Sequence, residues 1–342
     1  MSNRGGVITG WGGYLPDGVV TNADLAQRME TTDEWIVERT GIKERRWGNE
    51  PTAILGVKAA QKALAMAGCG PTDIDLMIFA TCSPEYLLPG SSAIAQHELG
   101  LTCGAFDLNA ACSGFTYSLV AAHGMLQMGM NRILIIGSEQ LSRIIDKDDR
   151  GTAILFGDGA GAVVLEASEG EGELLGYDLG VDGSAVHTLY TEHHDEITRM
   201  DGKEVFRRAV HAIVDSANKA LDRAKMTIDD LDWVIPHQAN RRIIEAAMRR
   251  LDWPMDRTST TVEFVGNTSA ASIPLALIHE LDHGNIQPGD HVLMSGFGAG
   301  MTWASSVVRW GGVVREGGHG PAWHASQAAV PTQQSAASEA SA

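Results

Sequence analysis

Cys112 stands in Phe106-Asp107-Leu108-Asn109-Ala110-Ala111-Cys112-Ser113-Gly114-Phe115, where an apolar run ends and a helical pattern begins. That position predicts a thiol at a helix N-terminus, where free N–H groups and the helix dipole favour the thiolate. A thiolate there can attack a carbonyl and carry an acyl group. Two later segments supply polar partners: Pro236-His237-Gln238-Ala239-Asn240 and Gly266-Asn267-Thr268-Ser269-Ala270-Ala271-Ser272. The chain has 12 histidines, and most read as structural. His237 differs because it follows an apolar run at a strand-to-helix junction, where sites in α/β proteins gather. Asn267 alone reads as a turn residue or helix cap. Together the three form a Cys/His/Asn set with two readings. In a cysteine hydrolase His is the base and Asn orients it; in a condensing enzyme both donate hydrogen bonds to a thioester oxygen. Gly296-Phe297-Gly298-Ala299-Gly300 lacks the GxGxxG spacing and the downstream acid of a dinucleotide site. A close backbone approach fits it better, and a backbone N–H there could complete an oxyanion hole with that of Cys112.

These residues need a frame that brings distant segments together. Continuous apolar runs at 74–81, 132–137, 160–166 and 231–235 suit strands buried on both faces, and 104–108, 291–295 and 302–308 read as further strands. Helical patterns cover 52–67, ending at Gly68, and 91–98, 113–128, 205–224, 243–251 and 273–281. Asn22 reads as the cap of a helix over 23–29, and Thr31 to Glu34 has capping-box spacing. Alternation of the two element types implies an α/β protein with buried sheets.

Internal matches suggest duplication. Asp73-Ile74-Asp75-Leu76-Met77-Ile78 resembles Asp230-Leu231-Asp232-Trp233-Val234-Ile235, with 230 − 73 = 157. Cys112-Ser113-Gly114 and Asn267-Thr268-Ser269-Ala270 both open a helix after a strand, with 267 − 112 = 155. Gly157-Asp158-Gly159-Ala160-Gly161 pairs with the glycine run at 296, an offset of 296 − 157 = 139, which implies a shorter second half. The expected units are 1–171, carrying the nucleophile, and 172–315, carrying His237 and Asn267. A flexible tail rich in Gly, Ala, Ser, Gln and Pro follows over 316–342.

Composition narrows the function classes. A length of 342 residues with 44% hydrophobic content and 39 glycines fits a compact enzyme-like body with many tight turns. Net charge is −17, which disfavours non-specific nucleic-acid binding. Four cysteines, Cys69, Cys82, Cys103 and Cys112, form no CxxC pair, and three read as buried small hydrophobes. With no 18-residue apolar stretch and no signal-peptide pattern, the expectation is a soluble cytoplasmic protein without membrane or metal.

Six motifs in order resemble the β-ketoacyl-acyl carrier protein synthase III family of thiolase-superfamily condensing enzymes. They are Thr32-Asp33-Glu34-Trp35-Ile36-Val37-Glu38-Arg39-Thr40-Gly41-Ile42, Asn109 to Phe115, Asp149-Arg150-Gly151-Thr152, Phe156-Gly157-Asp158-Gly159-Ala160-Gly161, His237-Gln238-Ala239-Asn240 and Gly266 to Ser272. The similarity covers about residues 5 to 315. It implies a thiolase-like fold, two duplicated α/β halves in a five-layered α-β-α-β-α core, and a homodimer. It also implies a reaction without a cofactor. Cys112 would take an acyl group from acyl-CoA. His237 and Asn267 would stabilise the enolate formed as malonyl-acyl carrier protein loses carbon dioxide, and that carbanion would attack the acyl-Cys112 thioester. N–H groups of Cys112 and Ala299 would hold the oxyanion. Trp35, Arg39, Arg150, Phe206 and Asn240 fall on the CoA side, and Arg207 and Arg242 at carrier-protein docking positions. Leu88 falls where the family places a residue reaching into the partner's acyl pocket. Leucine there implies tolerance of primers longer than acetyl, including branched ones. Within the same fold, an acyltransferase or polyketide starter enzyme with another acceptor is the rival reading. A non-catalytic carrier-protein module would not need all three polar residues. A hydroxymethylglutaryl synthase-like enzyme would need a glutamate base, and no such motif stands out.

Overall fold

The computed structural model describes residues 4–169 and 172–311. The tail expected over 316–342 lies outside these, as do 312–315. In chain order the first part runs β1 (Gly5–Tyr14), β2 (Val19–Thr21), α1 (Asn22–Ala26), α2 (Asp33–Thr40), β3 (Glu44–Arg46), α3 (Thr52–Ala67), β4 (Leu76–Ala80), α4 (Ser91–Glu98), β5 (Gly104–Leu108), α5 (Gly114–Gln127), β6 (Arg132–Gln140) and β7 (Asp158–Ser168). The second runs β8 (Glu173–Val181), β9 (Leu189–Thr191), β10 (Thr198–Met200), α6 (Gly202–Ala224), β11 (Trp233–Pro236), α7 (Arg241–Leu251), α8 (Val262–Val265), α9 (Ser272–Asp282), β12 (His291–Gly298) and β13 (Thr302–Arg309).

Two sheets carry the fold, in strand orders β1-β7-β6-β4-β5 and β8-β13-β12-β11. They correspond strand for strand. β4 and β6 pair in parallel, as β11 and β12 do, and the next two pairings outward are antiparallel in both. Among the described strands of these two sheets only β5 lacks a full counterpart; a single parallel bridge from Val234 to Thr258 marks its place. Helices α5 and α9 lie between the sheets, α3 and α4 cover the first, and α6 and α7 cover the second, giving the five α-β-α-β-α layers. Strands β4, β6 and β12 are buried along nearly their whole length, which is why they read as unbroken apolar runs.

The local corrections are small. α1 is capped by Thr21, in a capping box with Asp24, and ends at Ala26. Asn22 instead donates to Asp33 and to the Ile42 carbonyl from inside the structure. The cap of α2 is Thr32, which accepts from the Trp35 N–H. The glycine-run repeat is corrected outright: Gly157–Gly161 leads into β7, whereas Gly296–Gly300 ends β12. The counterpart of Gly296 is Gly137 in β6, since each presses its Cα face on the equivalent turn. A Cβ on Gly137 would meet the Ala270 carbonyl at 2.4 Å, and one on Gly296 would meet Ser113 at 3.1 Å and the Cys112 carbonyl at 3.3 Å.

Candidate active site

Cys112 sits in a one-turn 3-10 segment, Ala111–Ser113, that leads into α5; Ser269–Ala271 does the same before α9. The two turns are built alike. Ala111 has φ 47° and Ser269 has φ 48°. The side-chain oxygen of Asn109 accepts from the Ala111 N–H at 3.1 Å, and that of Asn267 accepts from the Ser269 N–H at 2.9 Å. The true offset is therefore 267 − 109 = 158. Asn267 corresponds to Asn109, and the counterpart of Cys112 is Ala270. Duplication still brings both helix starts to one centre, where Cys112, His237 and Asn267 line a single cavity with Phe206, Asn240, Phe297 and Gly298.

Each polar group has one face engaged by the scaffold. The Asn267 backbone donates to Leu155 and accepts from Gly157; with Oδ1 held by Ser269, its amide NH2 is the group left to face the cavity. His237 is buried, its ring edge-on to Phe297 at 5.4 Å. Its Nδ1 pairs with the Ser272 hydroxyl at 2.6 Å. If that hydroxyl donates, the ring proton sits on Nε2, where His237 can act as a hydrogen-bond donor. Burial pulls the His237 pKa down to about 3, so the imidazole is neutral throughout the ordinary pH range. Gln238 is wholly structural, bonded to Pro236, Ser259 and Val262.

Cys112 departs from the expected thiolate. Burial pushes its pKa up to about 12, with the Ser269 hydroxyl pulling it down and Glu139 adding to the rise. The helix N-terminus is present, but desolvation outweighs it. The close approach at Gly298 is confirmed: a Cβ there would stand 2.5 Å from the Cys112 nitrogen. Early in their 3-10 turns, the N–H groups of Cys112 and Ala299 lack an acceptor within the turn, and both residues line a second cavity of about 320 Å³. Leu141, Ile144, Ile145, Leu189 and Tyr190 give this cavity mostly apolar walls. Cys112 thus stands where the cavity lined by His237 and Asn267 meets this second one, a place for a thioester between its carrier and its acyl chain. Cys82 also lines the apolar cavity. Cys69, Cys82 and Cys103 are only partly buried, short of the buried small hydrophobes expected, while Cys112 is buried.

At the outer end, the guanidinium carbons of Arg39 and Arg150 lie 4.4 and 4.6 Å from the Trp35 ring centre. Asn240 caps α7 by accepting from Arg242 and donates to the Arg39 carbonyl, tying this end to the cavity. Arg242 lies over Phe206 at 5.8 Å, and Arg207 is exposed and paired with Glu204. Leu88 is 79% exposed and Leu87 81%; neither lines either of these two cavities. Sequence reasoning missed the β9–β10 hairpin and the loop after β6, which supply most of the apolar walls, and the buried Glu139.

Comparison with known proteins decides the family. The 3-oxoacyl-acyl-carrier-protein (ACP) synthase III model matches residues 106–183, and its C-terminal model matches 221–310. A Bacillus cereus protein named beta-ketoacyl-acyl-carrier-protein synthase III 1 is 47% identical over 309 residues, 89% of this chain and 98% of that one. The chain belongs to the 3-oxoacyl-acyl-carrier-protein synthase III family. Among solved structures, the 3-oxoacyl-acyl-carrier-protein synthase III of Aquifex aeolicus superposes with a TM-score of 0.88 at 40% identity, covering 90% of this chain and all of that one. A priming beta-ketosynthase from a polyketide biosynthetic pathway reaches 0.84 at 37% identity, covering 90% and 97%. The synthase III family fold and its condensing-enzyme class hold for this chain. Among the described residues, no helix is long and apolar enough to cross a membrane.

Proposed function

We propose that this enzyme condenses an acyl-CoA primer with malonyl-acyl carrier protein through an acyl-Cys112 intermediate, the decarboxylating step that starts fatty acid synthesis. The observation that carries this reading is the convergence of Cys112, His237 and Asn267 on one cavity, within a chain 47% identical to a named synthase III. Two hydrogen-bond donors, the His237 ring and the Asn267 amide, face one oxyanion as malonyl loses carbon dioxide. The Cys112 and Ala299 N–H groups serve another, on the acyl thioester. The reaction needs no cofactor. It divides along the chain: 1–171 supplies the nucleophile, 172–315 the two donors. The test is to supply labelled acyl-CoA, then malonyl-carrier protein, and follow products by mass. A chain-extended β-ketoacyl product with release of carbon dioxide supports the reading. Loading without decarboxylation supports an acyltransferase instead.

The coenzyme end follows from the Trp35 stack. A purine entering beside an indole flanked by two guanidinium groups gains stacking and cation–π energy, about 0.5–2 kcal/mol. Trp35→Ala is therefore expected to raise KM for acyl-CoA several-fold to about thirtyfold, with kcat changed far less. An unchanged KM counts against this site. Arg207 and Arg242 offer the docking charge for an acidic carrier protein.

A homodimer fits the surface. Strand β5 is a sheet edge with Phe106 exposed, and the exposed Leu87–Leu88 pair lies on the loop leading to α4. An unpaired edge beside apolar side chains invites a second copy, in which Leu88 reaches the partner's apolar cavity. Sedimentation at twice 36.5 kDa checks the dimer. On this reading butyryl-CoA and isobutyryl-CoA load as primers, and Leu88→Phe lowers their kcat/KM relative to acetyl-CoA at least several-fold. Loading of acetyl-CoA alone by the unmodified enzyme counts against the role of Leu88.

A further inference from the structure

Behind Cys112 the structure buries a carboxylate that none of these steps uses. Glu139, near the end of β6, is 0% exposed. Its Oε2 accepts from the Thr81 and Ser83 hydroxyls at 3.0 and 2.6 Å, and its Oε1 from the Ala270 N–H and the Cys82 thiol, both at 3.3 Å. The Cys82 N–H donates to both oxygens. Thr81 accepts from the Ser83 N–H and Ser83 from the Gln140 N–H, which leaves each hydroxyl its proton to donate to Glu139. A carboxyl surrounded by donors is held as an acceptor. Among the described residues no Lys or Arg pairs with it, although an unpaired buried carboxylate is costly.

The duplication shows what this carboxylate replaces. Gly137 and Gly296 correspond, so two residues on Glu139 corresponds to Gly298. At the first-half turn, Gly298 from the second half leaves the Cys112 N–H open for a substrate oxyanion. At the second-half turn, Glu139 from the first half lays an oxygen on the equivalent N–H, that of Ala270. The two centres are joined by Ser269, whose hydroxyl lies 3.4 Å from Cys82 Sγ and whose hydrogen bonding pulls down the pKa of both Glu139 and the Cys112 thiol.

We propose that Glu139, acting through the Ser269 hydroxyl, accepts the Cys112 thiol proton during acylation and returns it to the departing coenzyme A sulfur. The inference rests on the acyl-Cys112 reading above. The bond from Sγ to the acyl carbon forms and the bond from that carbon to the coenzyme sulfur breaks. The thiol proton passes to Ser269 as the Ser269 proton passes to Glu139, and both shifts reverse onto the leaving thiolate. Glu139 ends ionised and no co-reactant is needed. The pKa directions agree: burial raises Glu139 above the ordinary carboxylate range, while His237, lowered to about 3, is the poorer proton acceptor. The titratable groups facing Glu139 are Cys82, from the loop after β4, and Cys112, from the turn before α5. Ser269 and Ala270 bring none, and the nearby Asp158 spends its carboxylate on Ser142 and Gly48.

The test is the pH profile of coenzyme A release on acylation, by rapid quench without malonyl substrate. The unmodified enzyme should acylate at a rate nearly flat around neutral pH. Ser269→Ala and Glu139→Gln should be at least about tenfold slower at pH 7. Their rates should climb roughly tenfold per pH unit, because only the thiolate fraction of a thiol with pKa about 12 then reacts. Glu139→Asp, which keeps the charge, should restore the flat profile. Variant profiles parallel to that of the unmodified enzyme overturn the relay, since a merely structural role lowers all points alike. If Glu139→Gln does not fold, Ser269→Ala decides alone. No coenzyme A release from the unmodified enzyme at any pH would instead refute the acyl-enzyme reading.

Discussion

Cys112→Ala is expected to abolish acyl-enzyme formation and to lower condensation at least about a thousandfold, because the covalent intermediate that divides the reaction into two steps is gone. Mass spectrometry of protein treated with acyl-CoA should show the acyl adduct on the unmodified chain and none on the variant. The substitution is mild for the fold. Cys112 is a small buried side chain in a turn whose shape is set by the Asn109 side chain and the Gly298 contact. Its sulfur borders cavities that already exist, so removing that one atom enlarges them slightly and opens no new sealed void. His237 and Asn267 stay in place, so slow release of carbon dioxide from malonyl-carrier protein should persist, uncoupled from carbon–carbon bond formation. An acyl adduct that survives in the variant would move the nucleophile elsewhere, Cys82 in the same cavity being the first residue to examine.

The central strands were readable because burial on both faces leaves a continuous apolar run, and α3 was readable to the residue because Gly68 closes it in the left-handed conformation. β8 was not. Its nine residues include two glycines and two acids, and it becomes a strand by pairing with β13 at a sheet edge, a tertiary effect that local pattern does not carry. The three-residue strands β9 and β10 are defined by one another in the same way. The site divides along the same line. Cys112 and His237 each follow a strand, Asn267 follows the short helix α8 rather than the expected strand, and all three announce themselves by residue type. The apolar walls come from Leu141, Ile144 and Ile145, whose loop is covered only once the hairpin folds over it. Glu139 looks like the polar end of a strand; donors from Thr81, Cys82, Ser83 and Ala270 make it interior. The charge state of Cys112 failed for a related reason. A helix start is visible in sequence, whereas the desolvation that outweighs it is not.

His237→Ala and Asn267→Ala are each expected to lower decarboxylative condensation by about a hundredfold to a thousandfold, the usual effect of removing one preorganised donor to a developing oxyanion, while leaving Cys112 acylation within a few-fold of the unmodified rate. The separation is the informative part. Both residues reach the cavity from the second half of the chain, whereas the acyl group is taken up on the first, so the two half-reactions should respond differently. A quench assay of coenzyme A release and a carbon dioxide assay on the same protein measure them independently. Equal loss in both would make His237 a base for Cys112, which its depressed pKa disfavours. The pH dependence follows with a definite sign. An imidazole at about 3 in the folded protein and near 6.5 when unfolded stays neutral, and hence donor-competent, from about pH 5 to 9, so His237 should add no acid limb to the activity in that range. Between the two values the unfolded chain binds more protons than the folded one, so His237 favours folding above about pH 6.5 and the contribution drains away as pH falls towards 3. The enzyme should therefore lose stability on acidification before His237 loses its role. The His237→Ala variant should show a shallower acid decline in Tm than the unmodified chain, and an equally steep one would place the titrating group elsewhere.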